Sequence, residues 1–246
     1  MTTQKAINGL LMKLWDNYAP YYEKSFGKIS VFQGFAKKLR EYLLPVPGGV
    51  VLDGGCGPGL HFEMIVQATN PSRLVGLDFS PKMLAEANKA RERLNRKHRC
   101  QIDLKEADLC KGIPFSDNTF DAQVYHLVLY YLPADKWREV LREAFRVAKP
   151  GGYIVTSNAL KRLDLRKEIG IGFFVKETLF RPMAIFWTVV GARPILVEFQ
   201  DLEKKGVLSY PSEDELIDFH HRLGFEKVVC KEIWKDTIMI RAHKPE

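Results

Sequence analysis

The residues best suited to chemistry in this sequence form a glycine-rich segment between a short apolar run and a helical pattern. The segment reads Asp53-Gly54-Gly55-Cys56-Gly57-Pro58-Gly59. Glycine permits positive φ angles in a tight turn, and its missing side chain lets a ligand approach the backbone amides. Dinucleotide-binding folds use a similar turn, so the loop alone predicts a ligand site without identifying the ligand.

Residues further along the chain narrow the choice of ligand. Asp78 lies 25 residues after Asp53 (78 − 53), at the end of the second predicted strand, where its carboxylate can accept hydrogen bonds from both hydroxyls of a ribose. That arrangement also fits NAD. However, Asp53 at the mouth of the first strand, Asp108 after the third, and the turn at 149–152 have no role in binding NAD, which disfavours a dehydrogenase.

Alternating strands and helices must hold these residues at one edge of a sheet. Apolar positions three and four residues apart predict helices within 1–45. The expected elements that follow are strands at 50–52, 74–77, 102–105, 122–125, 153–156, 226–229 and 237–242, and helices at 60–68, 81–94, 133–148 and 213–223. Such alternation is typical of a parallel sheet with helices on both faces.

Local signals predict where several helices begin and end. Pro81 and Pro133 suit the first turn of a helix, and Ser80 can cap the free amides of the helix that starts at Pro81. Ser212 and Glu215 form a capping box. The Lys-Pro-Gly-Gly sequence at 149–152 is expected to stop the preceding helix and turn the chain into a strand.

Taken in order, these motifs resemble those of the class I S-adenosylmethionine-dependent methyltransferases, in particular the small-molecule branch that includes ubiquinone/menaquinone-biosynthesis methyltransferases. The matching segments are 50–59, 76–84, 106–109, 120–129 and 141–152. The resemblance is strong over about 45–158 and extends to 209–243 at the level of the fold. It implies an α/β fold with a Rossmann-like, seven-stranded, mostly parallel sheet, N-terminal helices, and an insertion between strands 5 and 6.

The resemblance also implies one methyltransferase domain that spans the chain and binds S-adenosylmethionine. Its expected parts are an N-terminal helical cap at 1–45, the cofactor-binding core at 46–158, a substrate-lid insertion at 159–208, and a C-terminal helix and strands at 209–246.

Carried onto this sequence, the resemblance assigns cofactor contacts to specific residues. The methionine portion would lie against Asp53 and the backbone of the loop, and Asp78 would bind the ribose. The contacts expected around the whole cofactor are Asp53, Gly54, Gly55, Cys56, Gly57, Gly59, Asp78, Phe79, Met83, Asp108, Leu109, His126 and Tyr21. Phe79 and Met83 would flank the adenine, while Asp108 and the Leu109 amide would bind its edge.

Each of these assignments has a structural alternative. Asp108 could cap a turn, Met83 could belong to a helix core, and Cys56 is more typical of a small packing residue than of a nucleophile. Tyr18, Tyr21 and Tyr22 fit a lid over the cofactor and packing between helices equally well.

His126 and Tyr130 are the candidate catalytic residues, because they follow the fourth predicted strand and His126 can titrate near neutrality. A structural or cofactor-contacting role for His126 is slightly favoured over that of a base. His61 is a weaker candidate of the same kind.

The insertion offers the best indication of the methyl acceptor. It contains aromatic residues beyond what a connector needs, namely Phe173, Phe174, Phe180, Phe186, Trp187 and Phe199. They predict a small lipophilic or aromatic acceptor, although core packing or a dimer contact explains them nearly as well. A transfer RNA acceptor and a non-catalytic cofactor-binding module remain open alternatives.

Composition and charge limit which other partners are compatible with the sequence. The net charge of +7 permits contact with anionic partners. However, the basic segment at 89–99 lacks interleaved aromatic residues, and no Pro-Pro-aromatic motif follows the fourth strand, so nucleic acid is disfavoured. In the most apolar region, 169–199, the longest charge-free run is Pro182–Ala192, which has 11 residues against the roughly 20 that a bilayer span needs, so only peripheral membrane contact is left.

The scattered cysteines predict reduced thiols, and the absence of a signal-peptide pattern predicts a cytoplasmic location. No cluster of metal ligands is apparent in the sequence, so no metal is expected, and the oligomeric state is not predicted.

Overall fold

A seven-stranded mixed sheet forms the centre of the molecule. The computed structural model describes residues 4–28, 30–132, 136–161, 179, 182–187, 193–208 and 210–246. The strands are β1 (Val50–Gly54), β2 (Arg73–Asp78), β3 (Gln101–Glu106), β4 (Phe120–His126), β5 (Ala148–Ala159), β6 (Glu226–Trp234) and β7 (Thr237–His243). Their order across the sheet is β3-β2-β1-β4-β5-β7-β6, and only β7 runs antiparallel to its neighbours. This confirms the predicted fold class.

The order of the parallel strands determines where a ligand can bind. β1 lies between β2 and β4, so the chain leaves β1 towards one edge of the sheet and later returns to start β4 on the other side. A crevice opens at the carboxyl ends of the strands at such a switch point. Asp53 is the penultimate residue of β1, Asp78 ends β2 and His126 ends β4, so all three lie near this crevice.

Helices cover both faces of the sheet. The helices of the described residues are α1 (Gln4–Tyr22), α2 (Ser30–Tyr42), α3 (Phe62–Thr69), α4 (Pro81–Asn95), α5 (Lys136–Val147), α6 (Pro182–Trp187), α7 (Arg193–Lys204) and α8 (Glu213–Arg222). One apolar core joins α5 and α8 to the sheet, and a second joins α2, α3 and α4 to the opposite face. Alternate strand residues serve the two cores, as Leu52 and Val51 show.

The helix signals in the sequence are largely confirmed. The Ser80 hydroxyl accepts a hydrogen bond from the Met83 amide at 3.1 Å, with Pro81 in the first turn of α4. Ser212 and Glu215 form the expected capping box of α8. Pro133 lies outside the described residues.

Two boundaries differ from expectation. The segment at 149–152 is not a separate turn, because Ala148 already pairs with Phe120 and β5 continues through the segment across a register shift. Gly151 absorbs this irregularity with a φ of +72°. β6 extends beyond the expected 226–229 to Trp234, because its pairing with β7 continues that far.

The N-terminal helices and the insertion meet in a third apolar core beside the sheet. Leu14 and Tyr18 of α1 pack with Phe199 and Leu202 of α7. The predicted aromatic residues Phe173, Phe174 and Phe180 lie outside the described residues, and Phe186 is half exposed. No helix in the described part of the chain is long and apolar enough to cross a membrane.

The glycines of this fold differ in the space that surrounds them. A Cβ at Gly54 would lie 2.7 Å from Cδ1 of the buried Tyr125 ring, whereas a Cβ at Gly34 on α2 would meet nothing within 4 Å. We expect Gly54→Ala to lower the free energy of unfolding by about 1–3 kcal/mol through overpacking. Gly34→Ala should raise it by about 0.5–1 kcal/mol, because alanine loses less entropy in a helix. Urea denaturation of both variants tests this, and equal stabilities would contradict it.

Candidate functional site

A cavity of about 230 Å³ lies at the carboxyl ends of the strands, under α1 and α2. Its wall combines the glycine loop, the ends of β2, β3 and β4, and the two N-terminal helices. The described residues that line it are Asn8, Leu11, Trp15, Tyr22, Gly27, Phe32, Gln33, Ala36, Gly55, Cys56, Gly57, Pro58, Leu60, His61, Asp78, Phe79, Met83, Ala107, Asp108, Leu109, Cys110, His126, Leu127, Val128, Tyr131 and Leu132.

The glycine loop is held in place by backbone hydrogen bonds to the neighbouring strand. The amides of Gly55 and Cys56 both donate to the Leu77 carbonyl, at 2.7 and 2.8 Å. Gly55 and Gly57 have φ angles of +74° and +53°, which favour glycine. A Cβ at Gly57 would meet nothing within 4 Å, so the loop leaves open space where the backbone faces the cavity.

Asp78 joins the loop to the start of α4. Its two carboxylate oxygens accept hydrogen bonds from the Gly57 amide at 2.8 Å and the Ser80 amide at 2.9 Å. Burial nevertheless raises the pKa of Asp78 to about 6, although these amides pull it down. The Asp78 carboxylate is therefore held in a fixed position, but its two hydrogen bonds do not fully offset the cost of burying its charge.

Asp53 is the less satisfied of the two carboxylates. It is 2% exposed, and its Oδ2 has no hydrogen-bond partner. Burial, with a smaller contribution from the charge of Asp78, raises the pKa of Asp53 to about 7. None of the ion pairs formed by the described residues neutralises either group. The site therefore suits a ligand that brings positive charge and hydroxyl donors.

A flatter, more apolar part of the cavity lies beside the ends of β2 and β3. Phe79, Met83 and Leu109 contribute to its wall. Asp108 caps the short 3₁₀ turn at 109–111 through the Cys110 amide, at 3.0 Å. Its other oxygen accepts a hydrogen bond from Nδ2 of Asn8 on α1, at 2.8 Å.

Two histidines form the wall next to the end of β4. The rings of His61 and His126 meet edge to face, with centroids 4.6 Å apart. Nδ1 of His126 lies 2.7 Å from the Ser157 hydroxyl, which also accepts a hydrogen bond from the Leu127 amide. Burial lowers the pKa of His61 to about 4, and burial with the nearby His61 lowers the pKa of His126 well below its usual range. Both imidazoles are therefore neutral at neutral pH.

Aromatic side chains form the opposite wall. Trp15 packs edge to face on Tyr131, with centroids 5.1 Å apart, and both line the cavity. Phe199 of the insertion lies behind them, 4.8 Å from the Tyr131 ring and 5.5 Å from Trp15. Among the described residues of 159–208, none lines the cavity itself. The described wall on this side is built by α1, α2 and the 3₁₀ turn at 129–131, with the insertion supporting it.

The structure brings most of the predicted site residues together at the cavity wall. Those that line it are Gly55, Cys56, Gly57, Asp78, Phe79, Met83, Asp108, Leu109 and His126. Asp53 lies buried beneath the loop, Gly54 packs against Tyr125, and Gly59 packs against Phe62.

Two of the predicted aromatic residues, Tyr130 and Tyr21, lie behind the cavity wall. In each case the next residue in the sequence lines the cavity instead. Tyr130 is 4% exposed and packs between Tyr131 and Tyr210, while its neighbour Tyr131 lines the cavity. Tyr21 packs in the third core, while Tyr22 lines the cavity. Burial raises the pKa of Tyr130 far above its usual range, which makes it a poor acid or base.

Several cavity residues were not singled out from the sequence. Asn8 and three residues of α2, namely Phe32, Gln33 and Ala36, line the cavity. The helical spacing of Phe32, Ala36 and Leu39 indicates an inward face. Nothing in the local sequence tells which end of that face meets the cavity rather than the core.

Comparisons with known proteins show the family to which the chain belongs. The family described as "Methyltransferase domain" matches residues 51–152. A demethylmenaquinone methyltransferase of Anoxybacillus flavithermus is 30% identical over 95% of this chain and 95% of its own length. A demethylmenaquinone methyltransferase of Desulfitobacterium hafniense is 33% identical over 78% of this chain and 72% of its own length.

Solved structures share the fold. The DhpI–SAH complex has a TM-score of 0.64 at 16% identity and covers 99% of both chains. An S-adenosylmethionine-dependent methyltransferase of Mesorhizobium loti has a TM-score of 0.56 at 20% identity, over 85% of this chain and 96% of its own. A putative methyltransferase solved in complex with the Haloferax volcanii Trm112 methyltransferase activator has a TM-score of 0.61 at 17% identity.

The chain belongs to the class I S-adenosylmethionine-dependent methyltransferases. Its cofactor is S-adenosylmethionine, and the residues present fit that molecule. The cofactor carries a sulfonium and an ammonium group, whose positive charge the buried Asp53 and Asp78 carboxylates can balance, and two ribose hydroxyls, which can donate hydrogen bonds to a carboxylate. The apolar wall at Phe79 and Met83 fits the face of a purine.

The raised pKa of Asp53 predicts that, without cofactor, the free energy of unfolding depends on pH. The folded-state pKa of about 7 lies above the ordinary value of 3.8, so the protonated form is favoured in the folded protein. Stability contributed by this group is therefore lost as pH rises from about 4 through about 7. Asp53→Asn removes that dependence.

We expect the stability of Asp53→Asn, relative to the natural protein, to rise between pH 5 and pH 8. The rise should be at least about 1.4 kcal/mol, the free energy of one pKa unit. Urea denaturation at both pH values without cofactor measures it, and Asp117→Asn, at a side chain that is 69% exposed, serves as the control. An equal effect of Asp53→Asn at both pH values would disprove the assigned burial penalty.

Proposed function

We propose that the protein methylates a small lipophilic, aromatic acceptor of the demethylmenaquinone type. The observation that carries this proposal is the wall formed by Trp15, Phe32 and Tyr131, which shares one cavity with the cofactor residues and with His126. Such a wall favours a flat apolar ring through stacking and edge contacts. The names of the relatives from Anoxybacillus flavithermus and Desulfitobacterium hafniense support the same class of acceptor.

The proposed cofactor contacts follow the order of the strand ends. Asp53 and the open backbone of the glycine loop at Gly55 and Gly57 contact the methionine portion, and Asp78 binds the ribose hydroxyls. Phe79 and Met83 flank the adenine, with Asp108 and the Leu109 amide at its edge. When bound, S-adenosylmethionine supplies an electrophilic methyl group. The chain would contribute by holding the acceptor atom next to that methyl group, since positioning can supply much of the rate.

His126 has the position and charge state to help the acceptor react. Its hydrogen bond to Ser157 fixes the ring through Nδ1, which leaves Nε2 for a hydroxyl of the acceptor. A neutral imidazole can accept that hydrogen bond and take the proton that the acceptor loses. Its lowered pKa then favours passing the proton on to water. Tyr130 is not proposed for this role, because it lies behind the wall.

Transfer of a labelled methyl group tests the acceptor. The protein is incubated with S-adenosylmethionine labelled in its methyl group and with either a short-chain demethylmenaquinone kept reduced or bulk transfer RNA. We expect label in the quinol and none in the RNA. Label in the RNA alone would overturn the proposed acceptor.

His126→Asn separates a reaction role from a binding role in the same assay. We expect kcat to fall about 100-fold, within the range for loss of a general acid or base. The affinity for S-adenosylhomocysteine should change less than threefold. His221→Asn, at an exposed histidine of α8, is the matched control and should leave both values unchanged. A loss of cofactor affinity in His126→Asn without loss of kcat would assign His126 to cofactor binding instead.

The ribose contact gives a second expected outcome. We expect Asp78→Ala to weaken S-adenosylhomocysteine binding by roughly 1–3 kcal/mol, because two buried hydrogen bonds to the ribose are lost. Calorimetry measures the change, with circular dichroism to verify the fold. Asp103→Ala, at the outer edge of the sheet, is the control. Unchanged affinity in Asp78→Ala would refute its role.

A further inference from the structure

Helix α1 reaches the adenine end of the cofactor site as well as the acceptor wall. Asn8, in the first turns of α1, lines the cavity and donates a hydrogen bond from Nδ2 to Oδ2 of Asp108 at 2.8 Å. Two turns further on, Trp15 lines the cavity on the aromatic side. One helix therefore contributes to both halves of the cavity.

A second polar contact fixes α1 next to the same strand ends. Oδ1 of Asp16 accepts a hydrogen bond from the Ser80 hydroxyl at 2.5 Å and one from the Lys82 amide at 3.3 Å. The Ser80 amide in turn donates to Asp78. α1 is thus attached at two points to the loops that follow β2 and β3. The position of Asn8 is consequently determined by the cofactor-binding loops themselves.

The chemistry of an asparagine side chain at this place is specific. A carboxamide presents one acceptor and one donor group in a plane, and asparagine recognises the amino edge of adenine in this way in protein–DNA complexes. Nδ2 orients Asp108, and the carboxamide oxygen, with two lone pairs, can accept a hydrogen bond from the 6-amino group of a purine. Phe79 and Met83 supply apolar walls in the same cavity.

We propose that Asn8 is a specificity-determining residue for the cofactor, which reads the 6-amino group of adenine together with Asp108 and so makes α1 part of the cofactor site. The inference rests on the placement of adenine between the ends of β2 and β3. It does not depend on which acceptor is methylated.

The experiment compares two ligands that differ only at the purine edge. S-adenosylhomocysteine carries a 6-amino donor, and S-inosylhomocysteine carries a 6-oxo acceptor in its place. Calorimetry on the full-length protein gives the ratio of their affinities. We expect the natural protein to prefer the adenosyl ligand by roughly tenfold or more, because the 6-oxo group of the inosyl ligand would place an acceptor against two acceptor oxygens. Asn8→Ala should lower that ratio by about threefold or more. Asp108 should account for the preference that remains in this variant.

Two further variants separate base reading from the attachment of α1. Asp16→Asn weakens the contact to Ser80 and should lower the affinity for both ligands equally, so the ratio remains. Leu10→Ala, at a residue of α1 that is 40% exposed and outside the cavity wall, should change neither affinity nor ratio. An unchanged ratio in Asn8→Ala, or a natural protein without preference, would overturn the proposal. Weak binding of both ligands to the natural protein would instead count against the placement of the cofactor.

Discussion

Two buried carboxylates at adjacent strand ends impose the main constraint on this structure. Asp53 and Asp78 repel each other in a region of low polarity, and burial raises the pKa of both. A ligand with complementary groups relieves the cost of burying these two charges, and S-adenosylmethionine has such groups. The glycine loop, the cap of α4 and the switch in strand order all serve to hold these two side chains in place.

The cofactor half of the site could be predicted from the sequence because each of its parts is local. The loop after β1, the carboxylate after β2 and the Ser80 cap each lie within a few residues of a strand end, and parallel strands bring those ends together. The acceptor half depends on how α1 and α2 fold back over the sheet. That arrangement comes from contacts between residues 100 or more positions apart, such as Trp15 with Tyr131 and Asn8 with Asp108.

Two of the predicted site residues are each one position away from the tyrosine that lines the cavity, for the same physical reason. Successive residues on a helical turn point about 100° apart, so Tyr21 and Tyr22, or Tyr130 and Tyr131, face different surroundings although they are alike in type. Residue type predicts that one of each pair reaches the cavity, and only the packing of the turn decides which. The Lys-Pro-Gly-Gly segment misled for another reason, because pairing of Ala148 with Phe120 draws it into β5.

The double attachment of α1 has a consequence for how such proteins diversify. A segment that held only the acceptor wall could be exchanged between relatives as a module, with the cofactor site left intact. Here Asn8 and Trp15 lie on one helix and line both halves of the cavity, and Asp16 of the same helix bonds to Ser80 after β2. A chimaera that takes α1 from a relative would therefore have altered contacts to the cofactor as well as to the acceptor. Changes in these two sets of contacts must be inherited together.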